Sequence, residues 1–397
     1  MLPRVKIQYL NGQLATVEEN TDGLLALVIG AVAVASTFVL NTAYTITSMD
    51  DLAALGVTSA NNAELYKHAA EFYDEAETGT KLVIYGVSQT ATMTDLCDYT
   101  KTDVGYCRDL ITKLNGTLKG IAVANVNTET TEESTAGIDP DVITALPKAQ
   151  QLAEWATTEL YAPLFFVLEG RNFDSTKTLH DFSTETNNRC AVLLGDTESA
   201  SKGACIGTLL GRIAGIPVQR NIGRVKDGAL APSLMYIGSS KIDDSPSLVA
   251  SIYDKGYILP TKYVGKTGYY FCDDRMACDP TDDYAHLTAR RVIDKAYRIC
   301  YTTLLNELLD ELEVNENGTL QAAVAKSWQQ TVVNAIDSNM TADGELSAGT
   351  DGNGCVCFID ETQNVVSTSK VEVTLQVRPF GYARYIDVSL GFQVTTA

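Results

Sequence analysis

Residues 370–394 read KVEVTLQVRPFGYARYIDVSLGFQV, two runs of strict alternation joined by a turn. In the first run Val371, Val373, Leu375 and Val377 are apolar, with Glu372, Thr374 and Gln376 between them. In the second, Ile386, Val388, Leu390, Phe392 and Val394 alternate with Asp387, Ser389, Gly391 and Gln393. A period of two over that length predicts strands with one dry and one wet face. Pro379 and Gly381 punctuate the connection, so a terminal hairpin is expected.

The opposite end carries the same signal: Val5, Ile7 and Tyr9 alternate with Lys6 and Gln8, and Asn11-Gly12 follows as a turn. Exposed strands at both ends either close a sheet within one subunit or template pairing with another chain.

The 397 residues suffice for two or three domains. A formal net charge of −20 argues against nucleic acid as the main partner, because phosphate binding needs clustered Lys and Arg. Nine cysteines scattered over a long chain do not resemble a disulfide framework, and reduced thiols are expected. Leu24 to Leu40 is an uncharged run of seventeen residues, at the short limit for a bilayer span. It is flanked by Glu18, Glu19 and Asp22 and interrupted by Gly30, which favours two buried strands, or a strand and a turn, and no membrane insertion.

Along the chain, Ser48 with Asp50 and Asp51 marks a helix start and Gly56 its stop. Helices are expected over 61–77, 100–114, 141–160, 247–255, 283–313 and 319–339, the fifth being the longest. Strands are expected at 81–87, 121–126, 164–168, 190–194, 257–260 and 355–359. This alternation predicts an α/β layer with a largely parallel sheet. Residues 127–139 are expected to form an exposed loop.

Catalytic and cofactor patterns are weak. Gly265-Lys266-Thr267 resembles the end of a phosphate loop, but its first glycine falls at Pro260. Gly203, Gly207 and Gly211 are spaced for helix packing and do not form a dinucleotide fingerprint. His68, His180 and His286 are scattered, and Cys272 and Cys278 lack a zinc spacing. Cys355 and Cys357 share one face of a strand and read as core. Asp273-Asp274 and Asp282-Asp283 read as solvated loop acids, with a cation site as the alternative. No cofactor, metal or catalytic residue is assigned.

In the 283–313 helix the first half is basic (Arg290, Arg291, Lys295, Arg298) and the end acidic (Glu307, Asp310, Glu311, Glu313), the reverse of what a helix dipole prefers. The cations either pair with local acids or face an acidic partner.

These stretches resemble contractile tail sheath proteins of bacteriophages and related injection systems. The resemblance rests on the order of GYYFCDDRM, TARRVIDKAYRI, FIDETQN and the closing VEVTLQVRPFGYARYIDVSLGFQ, with LALVIGAVAV and YTITSMDDLAALGV near the start. Arg384 departs from it, standing where many sheath sequences carry an acid. The resemblance implies a mixed α+β and α/β fold. A strand arm and linker would occupy 1–22, an inserted outer α/β domain 23–260, and an inner domain with a small sheet and two long helices 261–397. It implies a structural, non-enzymatic subunit that polymerises helically around an inner tail tube, contacts baseplate and tail terminator proteins, and contracts to drive the tube through an envelope. Such a particle would be assembled in the bacterial cytoplasm. Val5, Ile7, Tyr9, Ile386, Val388, Leu390 and Phe392 would exchange strands between subunits. Arg290, Arg291, Lys295, Arg298 and Lys326 would contact the tube.

Overall fold

The computed structural model describes residues 21–127 and 136–392. Val5, Ile7 and Tyr9, and most of the 127–139 loop, lie outside the described residues. The chain separates into two compact units, Met1–Arg298 and Ile299–Ala397. This division falls later than 260/261 because Tyr269, Phe271, Met276, Cys278 and Leu287 belong to the core of the first unit.

In the first unit the apolar run at 24–40 becomes one buried strand, β1 (Leu25–Gly30), followed by a turn. β1 lies inside a six-stranded sheet with β2 (Ala43–Ile46), β3 (Leu82–Val87), β4 (Gly120–Ala124), β5 (Phe165–Glu169) and β6 (Cys190–Leu193). The spatial order is β2-β3-β1-β4-β5-β6. All neighbours are parallel except β2 with β3. β1, β3, β4, β5 and β6 are buried at every position, which is why they read as continuous apolar runs without alternation.

Around the sheet, α1 (Met49–Ala54) starts at Ser48, whose hydroxyl accepts from the Asp51 amide at 3.3 Å. α2 (Ala63–Glu75) packs on a helix at Ile206–Ala214. The glycine spacing explains how closely: a methyl at Gly207 would sit on the His68 carbonyl, and one at Gly211 would lie 2.5 Å from that of Phe72. α3 (Met93–Cys97), α4 (Cys107–Lys113) and α5 (Pro140–Glu159) follow in chain order, and α6 is the Ile206–Ala214 helix. α7 is Pro246–Tyr253.

The long basic helix, α8, spans Leu287–Leu305, nineteen residues, and α5 with twenty is longer. Asp274 sets its start, accepting from the Thr288 amide at 2.7 Å and so placing a carboxylate at the helix N-terminus. The chain leaves the helix before Leu309, whose φ is 66°. Glu307, Asp310, Glu311 and Glu313 therefore stand outside it, and the expected conflict between acids and the helix C-terminus does not arise.

In the second unit α9 (Ala322–Ile336) packs on β7 (Cys355–Ile359), with Ala325, Val332 and Ile336 buried. β8 (Val373–Val377) pairs antiparallel with β7, from Cys355↔Val377 to Ile359↔Val373. This corrects the expected terminal hairpin: residues 371–377 pair with the preceding strand, and among the described residues 386–392 join no ladder. The nine cysteines are all free, and Cys355 and Cys357 share the buried face of β7.

Candidate functional site: open strand edges and buried charge clusters

An open parallel sheet offers a ligand crevice at the carboxyl ends of its strands, where strand order reverses. Here that point lies beside β1, between β3 and β4, and the chain's own side chains fill it. Asn125 donates from its side chain to the Gly30 carbonyl at 3.1 Å, and its amide donates to Glu169 Oε2 at 2.7 Å. Glu169 Oε1 accepts from the Ala204 amide at 3.1 Å. Lys67 pairs with Asp196 at 2.7 Å; burial works against the ammonium, but Asp196 offsets it and Lys67 titrates above its ordinary range. His68, fully buried, faces Glu71 at 3.4 Å, and the carboxylate raises its pKa against the opposing effect of burial. The network ties these loop ends together. Gly265-Lys266-Thr267 lies in an exposed loop between the short strands Pro260–Thr261 and Tyr270–Phe271, with no helix N-terminus after it.

His286 comes together with Asp273 and Asp274, not with the cysteines. Its Nδ1 lies 3.0 Å from Asp274 Oδ1 and 3.7 Å from Asp273 Oδ2. Asn221 donates to both carboxylates, at 2.6 and 2.7 Å, and Tyr253 to Asp273 at 3.2 Å. Both acids are buried, which corrects their reading as solvated loop residues. Burial alone would push the Asp274 carboxyl up, but His286, Asp273 and the Thr288 amide hold it well below its usual range. The three groups have the spacing of a cation site, yet histidine, amide and hydroxyl donors already serve them.

The basic stripe of α8 turns inward, with Arg290 and Arg291 only 6% and 5% exposed. Arg290 donates to Asp294 at 2.8 Å and stacks over Tyr284. Arg291 donates to the Ile213 and Ile216 carbonyls at 3.1 and 3.0 Å, capping the C-terminal end of α6. Arg298 donates to the carbonyls of Leu118, at 3.0 Å, and Pro163, ahead of β4 and β5. Lys295 pairs with Asp22 at 2.6 Å, just before β1. The expected tube-contact face thus serves as an internal clamp on strand starts and a helix end. Two of the cations, Arg290 and Lys295, are held by the carboxylates Asp294 and Asp22, and the other two, Arg291 and Arg298, by backbone carbonyls. Lys326, on α9, is exposed.

The second unit leaves surface unfinished. β7 and β8 each have one partner, so each presents an open edge among the described residues. Val356 and Phe358, on the outer face of β7, are exposed. Beyond β8, Ile386 and Val388 are 78% exposed, Leu390 96% and Phe392 102%. No helix among the described residues is long and apolar enough to cross a membrane.

Two family models match the chain: DUF2586, N-terminal domain, over residues 2–275, and DUF2586, C-terminal domain, over residues 283–397. No curated protein matches. Among solved structures, a chain of the anti-feeding prophage (AFP) baseplate, 6-fold symmetrised, matches with a TM-score of 0.62 at 14% identity, covering 99% of each chain. A chain of the PVC sheath complex in contracted state, from an extracellular contractile injection system, matches with a TM-score of 0.61 at 13% identity, over 99% of this chain and 98% of that one. A chain of the AFP baseplate in contracted state gives 0.62 at 14% identity and 98% coverage of both.

Proposed function

Because this chain belongs to the DUF2586 family and has the fold of contractile tail sheath proteins, we propose that it is the repeating subunit of a contractile sheath. Copies polymerise helically around an inner tube, exchange strands with their neighbours, and contract to drive the tube through a target envelope. The observation that carries this reading is the unpaired alternating segment 386–392 in a unit whose two-stranded sheet has open edges. Two-stranded sheets are marginal in isolation and gain stability when further strands are added. Burying four large apolar side chains on one face contributes about 6–12 kcal/mol before ordering costs, enough to drive repeated association. A strand donated head-to-tail forms a heterologous contact that does not close, which generates a helix. Contraction is then a rigid-body rearrangement of subunits and needs no active site.

The partners on this reading are other copies, an inner tail tube protein, and baseplate and terminator proteins, within a virion tail or injection-system particle assembled in the bacterial cytoplasm. Whole-chain likeness to chains of AFP and PVC assemblies favours an injection system over a phage tail. An α/β nucleotide-binding enzyme is the reading from another class, and the filled crevice beside β1 weighs against it. Lys326, on the open surface of α9, remains the candidate tube contact from the basic set.

Negative-stain microscopy of the purified chain tests the proposal. Long hollow sleeves are expected from the full chain, and single particles after removal of Met1–Leu10 or Ile386–Ala397. Polymerisation of both truncated chains would overturn strand exchange.

A further inference from the structure

Near the start of the second unit lies a stretch whose sequence and conformation disagree. Residues 304–313 read LLNELLDELE, with no glycine or proline and mostly strong helix formers. In a helix continued from α8, Leu305, Leu308 and Leu309 would stand at i, i+3 and i+4 on one side, with Glu307, Asp310 and Glu311 on the other. α8 nevertheless ends at Leu305. Beyond it the amides reach back only three residues: Glu307 to the Leu304 carbonyl at 3.1 Å, Leu308 to that of Leu305 at 3.4 Å, and Asp310 to that of Glu307 at 3.3 Å. Leu309 takes a φ of 66°, in the left-handed region that a leucine seldom adopts. Leu309 is 96% exposed, Leu308 67% and Leu305 49%.

Two physical terms hold the stretch unwound. Carboxylates in the last turn of a helix face its negative end, which opposes winding. Leucines that stay in water gain nothing from being aligned on one side. A partner with an apolar surface rimmed by Lys or Arg reverses both terms, because it neutralises the acids and buries the leucines. Anchors at i, i+3 and i+4 are the spacing by which an amphipathic helix seats in a groove. The net charge of −20 disfavours another copy of this chain as the occupant, and the same acids disfavour an anionic lipid surface. We propose that residues 306–311 are a recognition segment that winds onto the end of α8 as it docks in an apolar, basic-rimmed groove of a different protein. Leu312 sets the limit of winding, since it packs, partly buried, against the core of Leu320, Ala325, Ile359 and Val365. The inference goes beyond the sheath reading and does not depend on strand exchange.

A short leucine–lysine peptide whose leucines share one helical face presents that chemistry and is the probe. Its binding to the full chain is read by fluorescence anisotropy, and a scrambled peptide of the same composition measures charge attraction alone. Leu308→Ser/Leu309→Ser is expected to weaken binding of the ordered peptide about a hundredfold, the scale of two leucines left unburied. Glu311→Ala and Glu311→Gly remove the same exposed carboxylate and differ in helix propensity. If the segment winds on docking, the glycine chain binds about fivefold more weakly than the alanine chain. Hydrogen exchange of the 306–311 amides is expected to slow about tenfold when the ordered peptide is added. Equal affinities of the alanine and glycine chains, with exchange unchanged, would overturn the winding. Equal binding of the scrambled peptide would reduce the contact to surface charge and overturn the groove. Should the serine variant misfold by circular dichroism, the Glu311 pair carries the test, since it leaves every leucine in place. If the serine variant loses self-association in sedimentation yet binds the peptide as the wild type does, the occupant is a second copy, which also overturns the proposal.

Discussion

The two units of this chain solve the burial problem in opposite ways. In the first, the sheet is apolar on both faces, and the polar groups at its two ends are answered from within: Asn125 and Glu169 at the carboxyl ends, Arg291 and Arg298 at the other. In the second, one face of β7 meets α9, the other exposes Val356 and Phe358, and the apolar positions of 386–392 stand in solvent. Stability against unfolding is concentrated in the first region. On the proposed function, capacity to assemble belongs to the second, whose open strand edges could pair with another chain. Substitutions should therefore sort by which quantity they change.

The largest expected effect is on assembly. Ile386→Asp with Leu390→Asp places two charges on the face proposed to be buried in a neighbour. Sleeves should vanish in micrographs, while unfolding free energy of the isolated chain changes by about 0.5 kcal/mol or less, as for exposed sites. A melting temperature that drops along with assembly would show that 386–392 packs on its own chain and would erase the contrast between the units.

Next come two substitutions inside the first unit. Asp274→Ala leaves His286, Asn221 and the Thr288 amide without their buried acceptor and takes a carboxylate from the start of α8. A loss of about 3–5 kcal/mol is expected in denaturant titration, the scale for breaking one partner out of a buried charged network. Gly207→Ala forces α2 and α6 apart against the His68 carbonyl, with an expected cost of about 1–3 kcal/mol. A variant of either kind that unfolds normally but fails to assemble would mean the first unit also contributes contact surface.

The sequence displayed the second unit's faces more clearly than its partners. Strict alternation identifies Val373, Leu375 and Val377 as one face of a strand, but a period of two says nothing about which strand lies alongside. The pairing with 355–359 depends on the intervening 360–372 segment, where Gln363 holds the Glu372 amide at 2.6 Å and closes the connection. The glycine spacing at 207 and 211 was legible because close helix packing has few other solutions. The cation stripe of α8 was legible as a stripe, yet its direction was not. Arg290 and Lys295 pair with the acids Asp294 and Asp22, but Arg291 and Arg298 take backbone carbonyls at residues 118, 163, 213 and 216, and carbonyls carry no mark in a sequence. The same limit hid Asp274: a DD pair commonly marks a loop, and only the fold brings Asn221 and His286 to it.

The smallest expected effect concerns Lys119, half-buried directly before β4. Lys119 titrates at about 8 in the folded chain against an ordinary 10.5, with burial the main cause and Arg298 and Lys295 adding to it against Asp22. Below pH 8 it is charged in both folded and unfolded chains, and the folded state bears the whole penalty. Between pH 8 and 10.5 the folded chain releases this proton first, so the unfolded chain holds more protons and stability rises with pH. After discounting for its partial exposure, the rise is about 1 kcal/mol. Buried thiols and phenols work the other way over the same interval: burial pushes Cys357 up to about 11 and Cys272 up to about 12, so their ionisation favours the unfolded chain. The quantity to measure is therefore the difference between wild type and Lys119→Met, by urea titration at steps from pH 7 to pH 10.5, in which the thiol and phenol contributions cancel. The variant's advantage at pH 7 should shrink to nothing near pH 10.5. A flat difference would mean that the folded chain does not disfavour the Lys119 ammonium over that interval.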